Sequence, residues 1–223
     1  MGLLDLPTEL RLHIYTFVSD LQPGRQETIA VNYRPTPAIS RINQALRAET
    51  LPIYARNSEF VIHIDDDLDL PSSRVNVWLQ TLGERYLHEV QNLQLSRHWS
   101  MQRPTRWQGH VGFYVRLHVQ AEQWQCSTGT YPVANDRRGM RVNSVRLLQE
   151  IVAKKVSLVH ATKQKGLVKA DITFVLEAME VVASHPVTGY GIEQGEDSGQ
   201  RRREIWDDME GQLLALSVNG EDK

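Results

Sequence analysis

Cysteine is the scarcest resource in this chain: Cys126 stands alone. One thiol closes no internal disulfide, and without a Cys-x-x-Cys pair there is no structural zinc motif, so a reducing compartment, cytoplasmic or nuclear, is expected. An excess of one charge is missing too. The 25 basic and 27 acidic side chains leave −2 with histidine neutral, too little for a general attraction to phosphate backbones or anionic lipid. No apolar run reaches the roughly 18 residues a membrane helix needs, and residues 1–5 lack the basic and apolar regions of a signal peptide. Leu6 occupies the position where myristoylation requires Ser or Thr. What is present, 41% hydrophobic and 23% charged residues over 223, is the composition of a chain that buries a real core in one or two domains.

Between Pro7 and Leu21 the apolar residues Leu10, Ile14, Phe17, Val18 and Leu21 recur at helical spacing, which predicts one buried helix face. Pro7 suits the first turn, Glu9 the positive helix end, and Leu6 can fold back on Leu10 as a hydrophobic staple. Residues 22–37, with three prolines and Gly24, read as irregular. A second helix is expected from about Pro37 to Thr50, with Ile39, Ile42, Ala45 and Leu46 inward and Pro52 closing it. Alternation predicts strands at 58–65, 90–96 and 111–119. Ser72 or Ser73 can cap a third helix through Val75, Trp78, Leu79, Leu82 and Tyr86. Later helices are expected at 142–163 and 168–184, then a Gly- and acid-rich linker over 189–199 and a terminal helix over 201–217.

Two blocks carry a resemblance. Leu6-Pro7-Thr8-Glu9-Leu10, followed by an apolar helix, resembles the opening of an F-box. Arg47-Ala48-Glu49-Thr50-Leu51-Pro52-Ile53-Tyr54, followed by Asn57-Ser58-Glu59-Phe60, is similar to the second block of the F-box-like proteins abundant in filamentous fungi. Trp78-Leu79 and Asn92-Leu93-Gln94-Leu95 are similar to that family's next block, so the resemblance spans about residues 3–95. It implies a protein-interaction module that binds the adaptor of a cullin–RING ubiquitin ligase and presents an unknown protein substrate. Leu6, Pro7, Glu9, Leu10 and Ile14 would face the adaptor. The alternative for these residues is packing on the 58–65 strand as core.

Other features point less directly to chemistry. The run Asp65-Asp66-Asp67-Leu68-Asp69 invites a calcium reading, but Leu70 and Asn76 fall where an EF-hand loop needs Gly and Glu, so a solvated turn is expected. His110 and His118, on one strand face about 26 Å apart, cannot share a metal, while His63 and His118 are candidates to face each other across strands. No nucleotide, hydrolase or metalloprotease motif is present, so neither an enzyme, nor a cofactor, nor a bound metal is expected. The Trp- and Arg-rich stretch 98–110 places Trp99, Arg103, Arg106 and Trp107 as candidates for substrate capture, or less favourably for stacking single-stranded nucleic acid. Lys154, Lys155, Lys163, Lys165 and Lys169 read as a solvated helix face.

The resulting expectation is an α+β fold in which F-box-like N-terminal helices pack with a small antiparallel sheet and further helices. The organisation expected is an F-box-like helical segment at 1–56, a partner-binding region at 57–188, and a linker with a terminal helix at 189–223.

Overall fold

A computed structural model describes residues 2–29, 36–64, 71–98, 112–120, 123–131, 140–161, 166–185 and 198–219. Six helices and five strands follow in chain order: α1 Thr8–Tyr15, β1 Arg25–Ile29, α2 Gln44–Asn57, β2 Ser58–Ile64, α3 Pro71–Leu82, β3 Asn92–His98, β4 Gly112–Gln120, β5 Gln123–Tyr131, α4 Met140–Ala161, α5 Lys169–Ser184 and α6 Ser198–Asn219. The strands form one sheet in the order β1-β2-β3-β4-β5.

That sheet is mixed, which corrects the antiparallel expectation. β1 and β2 pair parallel, as do β2 and β3, while β3–β4 and β4–β5 are antiparallel. The reason lies in the connections. Two strands joined through a helix must run the same way, because the helix carries the chain back to the end where it began. Here α2 joins β1 to β2 and α3 joins β2 to β3, whereas two residues suffice between β4 and β5.

Two strands carry no apolar alternation and are absent from the expected set. β1, Arg-Gln-Glu-Thr-Ile, falls inside the stretch expected to be irregular. Gly24, at φ 77°, makes the turn into it, and its N–H donates to the Asn57 carbonyl at 2.9 Å. Glu27 is buried there, its carboxylate 2.6 Å from Arg25 Nε. β5 is polar along most of its length, and Trp124 is its one buried residue.

Strand register sorts the side chains into two faces. One is apolar: Phe60, Ile62 and Ile64 lie beside Leu93, Leu95 and Arg97, which lie beside Leu117, Val115 and Phe113. The helices attach to this face. Tyr54 of α2 and Trp78 of α3 both meet the Phe60 ring, at centroid distances of 5.5 and 5.2 Å. Thr128 Oγ1 of β5 donates to Gln149 Oε1 of α4 at 3.0 Å, and Arg97 of β3 pairs with Glu180 of α5. α6 closes over α5, where Met209 and Leu213 are buried and His185 Nε2 meets Asp208 Oδ2 at 3.1 Å. Most of the core residues expected on α3, α5 and α6 are buried, among them Trp78, Leu82, Ile172, Val175, Met179 and Leu213, whereas Tyr86, beyond the end of α3, and Ile205 and Leu216 on α6 are half-buried. Among the described residues no helix is long and apolar enough to cross a membrane.

α2 departs from expectation at both ends. A 3-10 turn occupies Ala38–Arg41, and the helix proper begins after Asn43, whose side chain accepts the Leu46 N–H at 2.9 Å. Ile42 and Ala45 are therefore exposed rather than inward. Pro52 does not end the helix but lies inside it, which continues to Asn57. Burial of Leu51, Tyr54 and Ala55 against the sheet outweighs the missing N–H, a defect of about 3 kcal/mol in a helix interior. Pro52→Ala is expected to raise the urea midpoint, by up to about 3 kcal/mol in unfolding free energy, because alanine restores a donor toward the Ala48 carbonyl.

Candidate functional site

The N-terminal segment builds the surface that the sequence singles out. A 3-10 turn over Leu3–Asp5 leads into Leu6 and Pro7, and α1 starts at Thr8 with the Pro7 carbonyl accepting from Leu10 and Arg11, both at 3.1 Å. Pro7 thus sits immediately before the helix. The staple position paired with Leu6 is then occupied by Arg11, not Leu10, and Arg11 Nη1 donates to the Leu6 carbonyl.

α1 is also shorter than expected, ending at Tyr15, and it is turned about its axis. The side facing the protein carries Arg11, Tyr15 and Val18; Tyr15 is only 1% exposed. Leu10, Ile14 and Phe17, expected inward, instead face solvent with 51%, 37% and 73% of their surface exposed. The helix is rotated by roughly one residue, about 100°, relative to its apolar stripe. Leu6 is half-buried, and Pro7 and Glu9 are exposed. Leu4 and Leu12 extend the exposed apolar surface, and the His13 and Phe17 rings meet edge to face at 5.3 Å.

Glu49 holds α1 in this facing, together with the burial of Tyr15. Its carboxylate, on α2, accepts from Arg11 Nε at 3.0 Å and from the Tyr15 hydroxyl at 2.7 Å. Arg11 and Tyr15 are four apart, so both reach one acceptor from one side of α1. The paired guanidinium holds the Glu49 carboxyl below its usual range. Burial, reinforced by the adjacent carboxylate, pushes the Tyr15 phenol up to about 12. On the other side of Glu49, Arg47 Nη2 donates to the Thr81 carbonyl at 2.9 Å and ties α2 to α3. Arg11, Tyr15 and Glu49 were invisible to apolar periodicity because their inward stripe is polar at its tips. The Arg47-Ala48-Glu49 block was the one available signal.

Elsewhere the expected sites do not assemble. Trp99, Arg103, Arg106, Trp107, His110 and the acidic run 65–69 lie outside the described residues. His63 and His118 do not face each other, since β3 separates their strands and they sit at opposite ends: His63 pairs with Ser96, and His118 with Asn92. The Ser96 hydroxyl is 2.7 Å from His63 Nδ1. No group of three His, Cys, Asp or Glu able to hold a metal occurs among the described residues. Burial pushes the Cys126 thiol up to about 12, which keeps it protonated and unreactive at neutral pH. Burial also raises the Asp171 carboxyl, which accepts the Val168 N–H at 2.9 Å at the start of α5. Both groups belong to the core.

No family model, curated protein or solved structure matches this chain.

Proposed function

We propose that the chain is an F-box-like interaction module, whose N-terminal turn and α1 seat against the adaptor of a cullin–RING ubiquitin ligase while the remainder engages a protein substrate. The observation that carries this reading is the outward apolar stripe of Leu10 and Ile14 on a helix, continued by Phe17 just beyond its end, while the neighbouring side of the helix is clamped by Glu49. Apolar residues facing solvent at helical spacing, on a rigid support, are the anchors that a helical partner groove takes up. The stripe begins at Leu6-Pro7-Thr8-Glu9-Leu10, the block that resembles an F-box opening. Glu9, exposed beside Leu10, supplies a charge at the rim of that surface.

Co-purification with the adaptor tests the reading. Wild type is expected to form a complex, and Leu10→Asp/Ile14→Asp to weaken it by at least tenfold at unchanged circular dichroism, since these side chains are not core. A well-folded wild type that forms no complex removes the ligase assignment and leaves a scaffold that does not bind the adaptor.

A further inference from the structure

The second face of the sheet is mostly polar, with Val61 as its buried apolar member. Register places Gln26 beside Glu59, Glu59 beside Asn92 and Asn92 beside His118, with Gln94 beside Arg116 in the next row. The helix contacts through Phe60, Arg97 and Thr128 fall on the apolar face. The second face carries almost no net charge: Arg116 Nη2 spans β3 to meet Glu59 Oε2 at 2.9 Å. Beside that bridge lies a shallow cavity of about 130 Å³ whose lining combines Gln26, Glu59, Asn92, Gln94 and Arg116 with Val61, Phe60 and Leu93. The amides of Gln26, Asn92 and Gln94 have no side-chain partner among the described residues, although Asn92 and Gln94 are half-buried. His118 Nδ1, next to Asn92, is buried without a partner.

Further along the same face two tyrosines lie down on glycines of the neighbouring strand. A Cβ at Gly129 would fall 2.6 Å from the Tyr114 hydroxyl, and one at Gly112 would fall 2.5 Å from Tyr131 Cζ. Only glycine leaves room for rings laid flat across the sheet.

We propose that this face binds a neutral, polyhydroxylated ligand, an oligosaccharide, with one sugar ring in the Gln26–Gln94 cavity and the chain continuing toward Tyr114. Three observations select that chemistry. Amides left unpaired on a half-buried surface offer donors and acceptors side by side, as a ring of hydroxyls requires. The internally paired Glu59 and Arg116 give polar contacts without a net field, which disfavours a polyanion. A tyrosine lying flat offers a C–H-bearing sugar face a large apolar surface with few rotamers to freeze. The ligand site is separate from α1 and does not depend on adaptor binding.

The test is nuclear magnetic resonance titration of the full chain with cellotetraose, chitotetraose and an α-linked mannotetraose. At least one is expected to shift the resonances of Gln94, Arg116 and His118, with an affinity that changes less than twofold between 50 mM and 500 mM salt. Gln94→Ala and Arg116→Ala should each weaken it at least tenfold while leaving the melting temperature of the fold near wild type. No shift with any of the three at 10 mM overturns the proposal. So does tight binding of a single-stranded oligonucleotide at this face that collapses with added salt, which would identify a nucleic-acid surface.

Discussion

Trp78→Ala is expected to lower the unfolding free energy by about 3–5 kcal/mol, the largest effect of any single change considered. The indole is fully buried and packs on Phe60, which in turn meets Tyr54, so one ring column joins α3, β2 and α2. Truncation leaves a cavity that these rigid rings fill poorly, and the loss exceeds the transfer term alone. Trp78 Nε1 is buried without a hydrogen-bond partner among the described residues. Trp78→Phe removes that unpaired donor along with part of the ring, and is expected to lose less than half as much. Urea unfolding with an unchanged m-value checks both. Equal losses for the two variants would show that the column tolerates no change of shape.

Glu49→Ala ranks second. It leaves the Tyr15 hydroxyl buried with no acceptor, a defect of about 1–3 kcal/mol, and frees α1 from α2. Amide exchange over Thr8–Tyr15 should rise together with the loss of global stability. The same carboxylate gives the clamp a pH dependence. Glu49 titrates lower in the folded protein than in the unfolded chain, so its contribution is present above the ordinary glutamate range, near 4.5, and is lost as pH falls through the depressed value. The Tyr15 phenol is raised to about 12 from 10, so its contribution is present below pH 10 and disappears as pH rises toward 12. Glu49→Ala should therefore remove the Glu49 part of the acid limb and only reduce the alkaline limb, because burial remains the main cause of the raised Tyr15 phenol. Parallel profiles would mean that the Arg11–Glu49–Tyr15 contacts carry no differential protonation.

The clamp also bears on the proposed adaptor surface. A helix of eight residues is too short to persist alone in water. Arg11 reaching both Glu49 and the Leu6 carbonyl fixes the helix and the segment before it as one body. That lets Leu10 and Ile14 stay exposed without the helix dissolving. Glu49→Ala would then weaken adaptor capture even though Glu49 does not touch the partner.

By itself the sequence determined the long elements. Val145, Leu148, Val152 and Val156, or Ile172, Val175, Met179 and Val182, recur at a spacing that buries one side of a helix and no other shape, and these are buried. The alternation in β2 and β4 placed Phe60, Ile62, Ile64, Phe113, Val115 and Leu117 on the buried face for the same reason, although Val61 on the other face of β2 is buried as well. Tertiary structure decided the rest. β1 and β5 are strands because β2 and β4 offer unpaired backbone edges, and an edge strand needs hydrogen bonds more than apolar side chains. The parallel pairings follow from which connections carry helices rather than from any property of the strands. α2 keeps Pro52 because three buried neighbours outweigh one missing donor. The facing of α1 goes with the burial of Tyr15 and its hydrogen bond to a carboxylate 34 residues away. Hydrophobic periodicity locates an apolar stripe, but the stripe turns inward only if no other side of the helix is held inward more strongly.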